Sequence, residues 1–357
     1  MLLYMPTKVY SEDNCVLNHA SEMILGTKAM IVTGKHSSRK NGSLDDVINV
    51  LNEKNIPYII YDDIEENPSV ETIMKAKEIG IREKVDFIIG IGGGSPLDAS
   101  KSISLMMKNP LETEEVLYQQ KALDWYPIVC IPTTCGTGSE VTPYSILTLH
   151  KQKTKRSTTH KVFATLALID SKYLKSMSYN GLVNTCVDAL AHLLEGHLNA
   201  RSNELNRMYS KEGLSVWAKF KDALLKNEIC DEDYKNMMNA SMIAGLTITH
   251  TGTSIPHAMS YPVTYELNIP HGRACGIFLP GFVEAYQNKD DVNECLNLLG
   301  FNNENEFRKY MTDLLGVVEI NEALLEKCAS DLIANKAKLK NFPFEITKDE
   351  LKGLLTK

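Results

Sequence analysis

Asp188 and His192 stand at i and i+4 in VDALAHLLEG, and His257 and His271 bracket HAMSYPVTYELNIPH. Carboxylate and imidazole are ligands for borderline divalent metals, and four such groups can hold one ion with a position left open for substrate. The i,i+4 spacing predicts a helix that carries Asp188 and His192 on one face. The second pair begins on a helix-like stretch and ends at a turn, Pro270–Gly272. Spacing alone leaves a plainer reading open. A chain with nine histidines has pairs by chance, and most histidines are surface or hydrogen-bonded core residues. Glu195, one turn beyond His192, is either the acceptor for a ligand's second N–H or a surface carboxylate. His250, ahead of a Gly-containing turn into the His257 segment, is placed near the same pocket.

Two loops upstream carry a second chemistry. GIGGGSPLDASK (90–101) follows a strand-like run and opens a helix, so its glycines and free helix N–H groups suit a pyrophosphate. Asp98, one turn inside, could cap the loop, orient it or bond a ribose or nicotinamide. IPTTCGTGSEVTPYSIL (131–147) is a second strand-to-loop passage, with Thr133, Thr134, Thr137, Ser139 and Thr142 around two glycines. Two such loops at neighbouring strand ends suit one extended phosphate-bearing cofactor. Lys155 or Arg156 could reach it, unless KQKTKRS is only a solvated hairpin turn. Neither the GxGxxG nor the P-loop fingerprint is present.

The elements that position these groups follow from periodicity. Apolar runs at 29–34, 56–62, 85–94 and 126–134 alternate with helical patterns at 43–55, 69–84 and 95–108, which predicts a parallel sheet covered on both faces. From about residue 177 the pattern is helical throughout. The expected organisation is an α/β nucleotide-binding domain over 1–176 and an all-helical metal-binding domain over 177–357, with the metal ligands facing a cleft between them. A length of 357 residues supports two cores, and a net charge of −7 speaks against nucleic-acid binding. No apolar stretch reaches the ~20 residues of a membrane span, and the N-terminus lacks the pattern of a signal peptide. The eight cysteines have no CxxC pair, so they are expected to be reduced thiols of a cytoplasmic protein.

Taken together, GGGSPLDASK, PTTCGTGSEVTPYSIL, the Asp-x-x-x-His of DALAHLLEG and the His…Pro-His-Gly of 257–272 resemble the iron-containing, or group III, alcohol dehydrogenases. The resemblance implies a dehydroquinate-synthase-like fold: a Rossmann-like N-terminal α/β domain and an all-α C-terminal domain. It implies metal ligands at Asp188, His192, His257 and His271, with Fe(II) and in some relatives Zn(II). It places nucleotide contacts at Asn67, Gly93, Gly94, Ser95, Asp98, Thr133, Thr134, Thr142 and Lys155. The implied activity is hydride transfer between NAD(P)(H) and a small alcohol or aldehyde, and a homodimer is expected. Two positions depart from the family pattern. NAD-using members often carry Asp where this chain has Gly34, in a segment with Lys35, Ser37, Ser38 and Arg39, so NADP(H) is expected over NAD(H). Tyr261 replaces a substrate-side His; a phenol is a poor base at neutral pH, so it is assigned to shaping the pocket. The competing readings are a polyol or polyol-phosphate dehydrogenase on the same fold, and a non-catalytic metal- or nucleotide-binding protein.

Overall fold

In the computed structural model the described residues are 4–152 and 154–355. They form two compact units, one of Tyr4–Thr134 with Gly138–Ser176, the other built on the chain from Met177 together with Cys135–Thr137.

The first unit is a six-stranded parallel sheet. In chain order its strands are β1 (Lys8–Ser11), β2 (Ala29–Thr33), β3 (Tyr58–Tyr61), β4 (Phe87–Gly92), β5 (Ile128–Pro132) and, after a hairpin, β8 (Leu166–Ile169). Across the sheet the order is β1-β8-β5-β4-β2-β3. The hairpin is an antiparallel pair, β6 (Ile146–Leu149) with β7 (Thr154–Ser157). The central strands AMIVT, FIIGIG and IVCIP are buried along their whole length, because helices cover both faces. Alternate side chains divide between those faces. Ile31, Ile89 and Ile131 pack with Leu44, Val47 and Leu51 of helix α1 (Ser43–Glu53). Met30, Ile88 and Ile128 pack with Ile73 of α2 (Val70–Arg82) and Ile103 of α3 (Gly94–Lys108). β2, β4 and β5 are direct neighbours, so the loops that follow them leave the same edge of the sheet. β1 and β8 are additional to the strands expected from the sequence; each is only four residues long.

The second unit is helical throughout its described residues. Its central element is α4 (Tyr179–His197), started by Ser178, whose hydroxyl accepts from Gly181 N. From Cys186 to His197 every residue of α4 is buried, because α5 (Glu204–Ala218) and α6 (Asp231–Thr251) pack against it. Beyond them α7 (Ile255–Leu267) leads into the short helix α8 (His271–Gly276). All eight cysteines are free thiols, and seven of them are buried. Among the described residues no helix is long and apolar enough to cross a membrane.

Candidate active site

Helix α4 delivers Asp188 and His192 to the interior of the helical unit, at 5% and 6% exposure. An anionic carboxylate in such a place needs a cation. Burial raises the Asp188 pKa, but His192, His257 and His271 outweigh it and hold the carboxyl well below the usual range. His257 comes from the first turn of α7 and His271 opens α8. The His257 Nε2 lies 3.4 Å from Asp188 Oδ1, and the His271 Nε2 lies 3.9 Å from the same oxygen. His192 stacks on His257 with ring centroids 4.5 Å apart.

The second nitrogen of each ring decides which atom faces this group. His257 Nδ1 donates to Glu195, which is fully buried. His192 Nδ1 donates to the Gly136 carbonyl at 3.3 Å. Ser260 Oγ donates to the His257 carbonyl at 2.8 Å, so toward His271 Nδ1, 3.4 Å away, it acts as acceptor. Each ring therefore has its Nδ1 committed to an acceptor, which leaves Nε2 as the atom that could ligate a metal, the orientation of a ligand whose other N–H is anchored. Asp188 Oδ1 and His257 Nε2 are buried and have no hydrogen-bond partner. A carboxylate oxygen and an imidazole nitrogen facing one another in an apolar interior need a positive charge between them, a proton on Nε2 or a metal ion. This arrangement fits a divalent ion.

Glu195 serves His257 on another helix rather than its own helix neighbour His192. Its carboxylate receives Ser254 N, His257 N and His257 Nδ1 together. It thus caps the start of α7 and aims the ring that α7 carries. Replacing Glu195 by Gln keeps the shape but removes the charge and turns one acceptor into a donor facing Ser254 N. The expected result is a loss of about 10- to 100-fold in metal affinity, read by competition with a chromophoric chelator.

Cys275 carries no signal in the spacing of the cysteines, yet its Sγ lies 3.7 Å from His271 Nε2. Asp188, His257, His271 and Cys275 offer ligand atoms that all lie within 4.8 Å of one another. His192 is not in that tightest group and sits beside it through its ring stack. Burial pushes the Cys275 thiol up, but His257 and His271 outweigh it and bring it to about 7. Tyr261 stacks on His271, with centroids 5.7 Å apart and planes 5° from parallel. Desolvation pushes its phenol up to about 12, which suits a wall of the pocket and not a base. His250 spends Nδ1 on the Leu246 carbonyl of its own helix.

In the α/β unit the expected nucleotide residues gather at the C-terminal edge of the sheet. Gly92 has φ +148°, a conformation that favours glycine. A Cβ at Gly93 would lie 3.0 Å from Thr134, and Thr133 N donates to the Gly92 carbonyl at 2.9 Å, so the two loops touch. Helix α3 starts at Gly94 with no side-chain cap, which leaves the N–H groups of Gly94 and Ser95 able to receive an anion. Asn67, at φ +59°, donates its N–H to Ser95 Oγ at 3.0 Å, and its carbonyl accepts from Thr148. Thr148 pairs in register with Lys155. Burial holds the Lys155 pKa below that of an ordinary lysine. Thr142 and Thr133 are buried. Asp98 is committed to the second loop, accepting from Ser139 Oγ at 2.5 Å and from Ile146 N at 2.9 Å. Its role is therefore to orient that loop, with the buried Lys101 3.6 Å away. After β2, Gly34 and Ser37 lie at the same edge, whereas Ser38 is fully buried and its hydroxyl accepts from Thr33. Ser38 supports the turn and offers no exposed donor.

The family model "Iron-containing alcohol dehydrogenase" matches residues 6–171, and its C-terminal counterpart matches 182–356. The chain belongs to the iron-containing alcohol dehydrogenases. A solved iron-containing alcohol dehydrogenase of Thermotoga maritima is 37% identical, with a TM-score of 0.91 over 99% of this chain and 98% of that one. Long-chain-alcohol dehydrogenase 1 of Geobacillus thermodenitrificans is 28% identical over 92% of this chain and 89% of its own length. Aldehyde-alcohol dehydrogenase 2 of Entamoeba histolytica is 29% identical over 77% of this chain, but that match spans only 33% of the larger protein. Family membership makes this iron-type alcohol dehydrogenase an oxidoreductase acting on a CH–OH group.

Proposed function

We propose that this alcohol dehydrogenase interconverts a small neutral aldehyde and its primary alcohol with NADP(H), using a divalent metal held by Asp188, His192, His257 and His271. The observation that carries the reading is the anchoring of Nδ1 in all three imidazoles, which leaves each Nε2 to ligate, beside the orphaned Asp188 oxygen. When bound, the metal supplies Lewis-acid polarisation of the carbonyl and the nicotinamide supplies the hydride. Asp188 contributes the compensating negative charge, Glu195 and Ser260 fix the rings of His257 and His271, and Tyr261 bounds the pocket over His271. The Gly93–Ser95 turn and the Thr133–Thr134 passage hold the phosphates, while Asn67 and Lys155 flank them.

The substrate class follows from the basic residues near the ligands. Arg207 forms a two-pronged pair with Asp291 at 2.7 and 2.8 Å, and Arg273 donates to the Leu315 carbonyl at 2.6 Å. Both are committed to structure, and Arg201, the third arginine the sequence places around the ligands, is exposed, so no cluster of arginines is left to hold a sugar phosphate. NADPH oxidation with a panel of aldehydes is the direct assay; turnover confined to phosphorylated polyols would overturn this choice. The homodimer implied by the resemblance would pair through the edge strand β1.

The preference for NADP(H) rests on Gly34. A Cβ there would come no closer than 3.4 Å to the Ile64 carbonyl, so Gly34→Asp is sterically allowed. The nearby Lys35 and Arg39 form only exposed pairs with Asp63 and Asp62, weak enough to be exchanged for a phosphate. Gly34→Asp is expected to shift the ratio of kcat/KM for NADPH over NADH toward NADH by about 10- to 100-fold, since a carboxylate repels the 2′-phosphate and accepts from a ribose hydroxyl. An unchanged ratio would remove the basis for the NADP(H) assignment.

A further inference from the structure

We propose that Cys275 is an additional metal ligand, through which this chain favours the more thiophilic Zn(II) over Fe(II). The proposal rests on the metal reading above. Cys275 stands at i+4 from His271 on α8, the same spacing that places Asp188 and His192 on one face of α4. It is fully buried. Its Sγ lies 3.7 Å from His271 Nε2, which itself lies 3.9 Å from Asp188 Oδ1, while His257 Nε2 lies 3.4 Å from that oxygen. In a tetrahedral zinc site with bonds of about 2.0–2.3 Å, neighbouring ligand atoms are separated by roughly 3.3–3.6 Å. These three separations are within a few tenths of an ångström of that, and all four ligand atoms lie within 4.8 Å of one another, so Cys275 Sγ can reach an ion held by Asp188, His257 and His271 with small side-chain movements. His192, outside this tightest group, sits beside it through its ring stack on His257.

A sulfur donor changes which ion the site selects. Carboxylate and imidazole serve Fe(II) and Zn(II) alike, whereas thiolate adds affinity for softer ions. On coordination the Cys275 S–H bond breaks, its proton passes to solvent buffer and both bonding electrons stay on sulfur to form the metal–sulfur bond.

Co(II) is the probe, because a bound thiolate gives it an intense charge-transfer band that oxygen and nitrogen ligands do not. The full chain, stripped by chelation, is titrated anaerobically with Co(II), alongside Cys275→Ser and Cys275→Ala. Circular dichroism and thermal unfolding establish that the variants are folded, and the two replacements guard against a failure of either one. The expected result is one Co(II) per chain with the charge-transfer band in the natural protein, and uptake without the band in a folded variant. Competition titration should then show Zn(II) affinity falling about 10- to 100-fold in the variant, with Fe(II) affinity changing less. Co(II) uptake with no such band, or a band that survives in both variants, overturns the inference and leaves the metal site standing. Failure of the natural chain to take up Co(II), Zn(II) or Fe(II) overturns both.

Discussion

Replacing Asp188 by Asn is expected to abolish stoichiometric metal binding and to lower aldehyde reduction by about three orders of magnitude. Asp188 is the one carboxylate among the four family ligands, and its Oδ1 is buried without a hydrogen-bond partner. Asn is nearly isosteric, so α4 keeps its packing. The charge that attracts the ion is gone, however, and the three imidazoles are left to hold a dication in a dry interior. A Lewis acid contributes several kcal/mol to stabilising developing oxyanion charge, and about 4 kcal/mol corresponds to roughly a thousandfold in rate. Metal content and kcat/KM are the readouts, with thermal unfolding as the control for folding. An Asp188→Asn variant that retains one ion per chain and ordinary turnover would show that Asp188 is not a ligand.

Gly272→Ala is expected to be the most disruptive single methyl in the helical unit. A Cβ at Gly272 would lie 1.8 Å from the Asn184 carbonyl oxygen and 2.8 Å from its carbon. Both are backbone atoms of α4, so no side-chain rotation relieves the clash. The start of α8 would have to withdraw from α4, carrying His271 away from Asp188. Overpacking of this kind costs about 1–3 kcal/mol of stability, and here it also opens the ligand set. Denaturant unfolding and chelator competition should register both losses together. Gly353→Ala is the matched control, because nothing lies within 4 Å of a Cβ at that position. Equal behaviour of the two variants would contradict the close approach of α8 to α4.

Strands with long apolar runs are legible in the sequence. AMIVT, FIIGIG and IVCIP are buried on both faces and therefore stand out without alternation. KVYS and LALI are four residues each, too short for periodicity to separate strand from loop or helix. In the site, Asp188 with His192 is visible because one helix carries both. The approach of His257 and His271 to Asp188 joins three helices and has no local signal; only the family resemblance points to it. Cys275 has no partner cysteine at CxxC spacing to mark it, although its i,i+4 relation to His271 is present in the sequence. Glu195 is visible as a carboxylate one turn from a ligand, but its actual partner lies on another helix. Ser38 looks like an exposed donor in the sequence and is in fact buried, because the turn after β2 folds it onto Thr33.

The most direct measurement follows metal content and turnover in one preparation. The chain is purified anaerobically, stripped by chelation, and assayed for NADPH oxidation with a short-chain aldehyde before and after addition of one equivalent of Fe(II) or Zn(II). The expected outcome is loss of turnover with the ion and recovery on reconstitution, with one ion per chain. Undiminished turnover in protein shown to be metal-free would contradict a metal-dependent dehydrogenase built on Asp188, His192, His257 and His271.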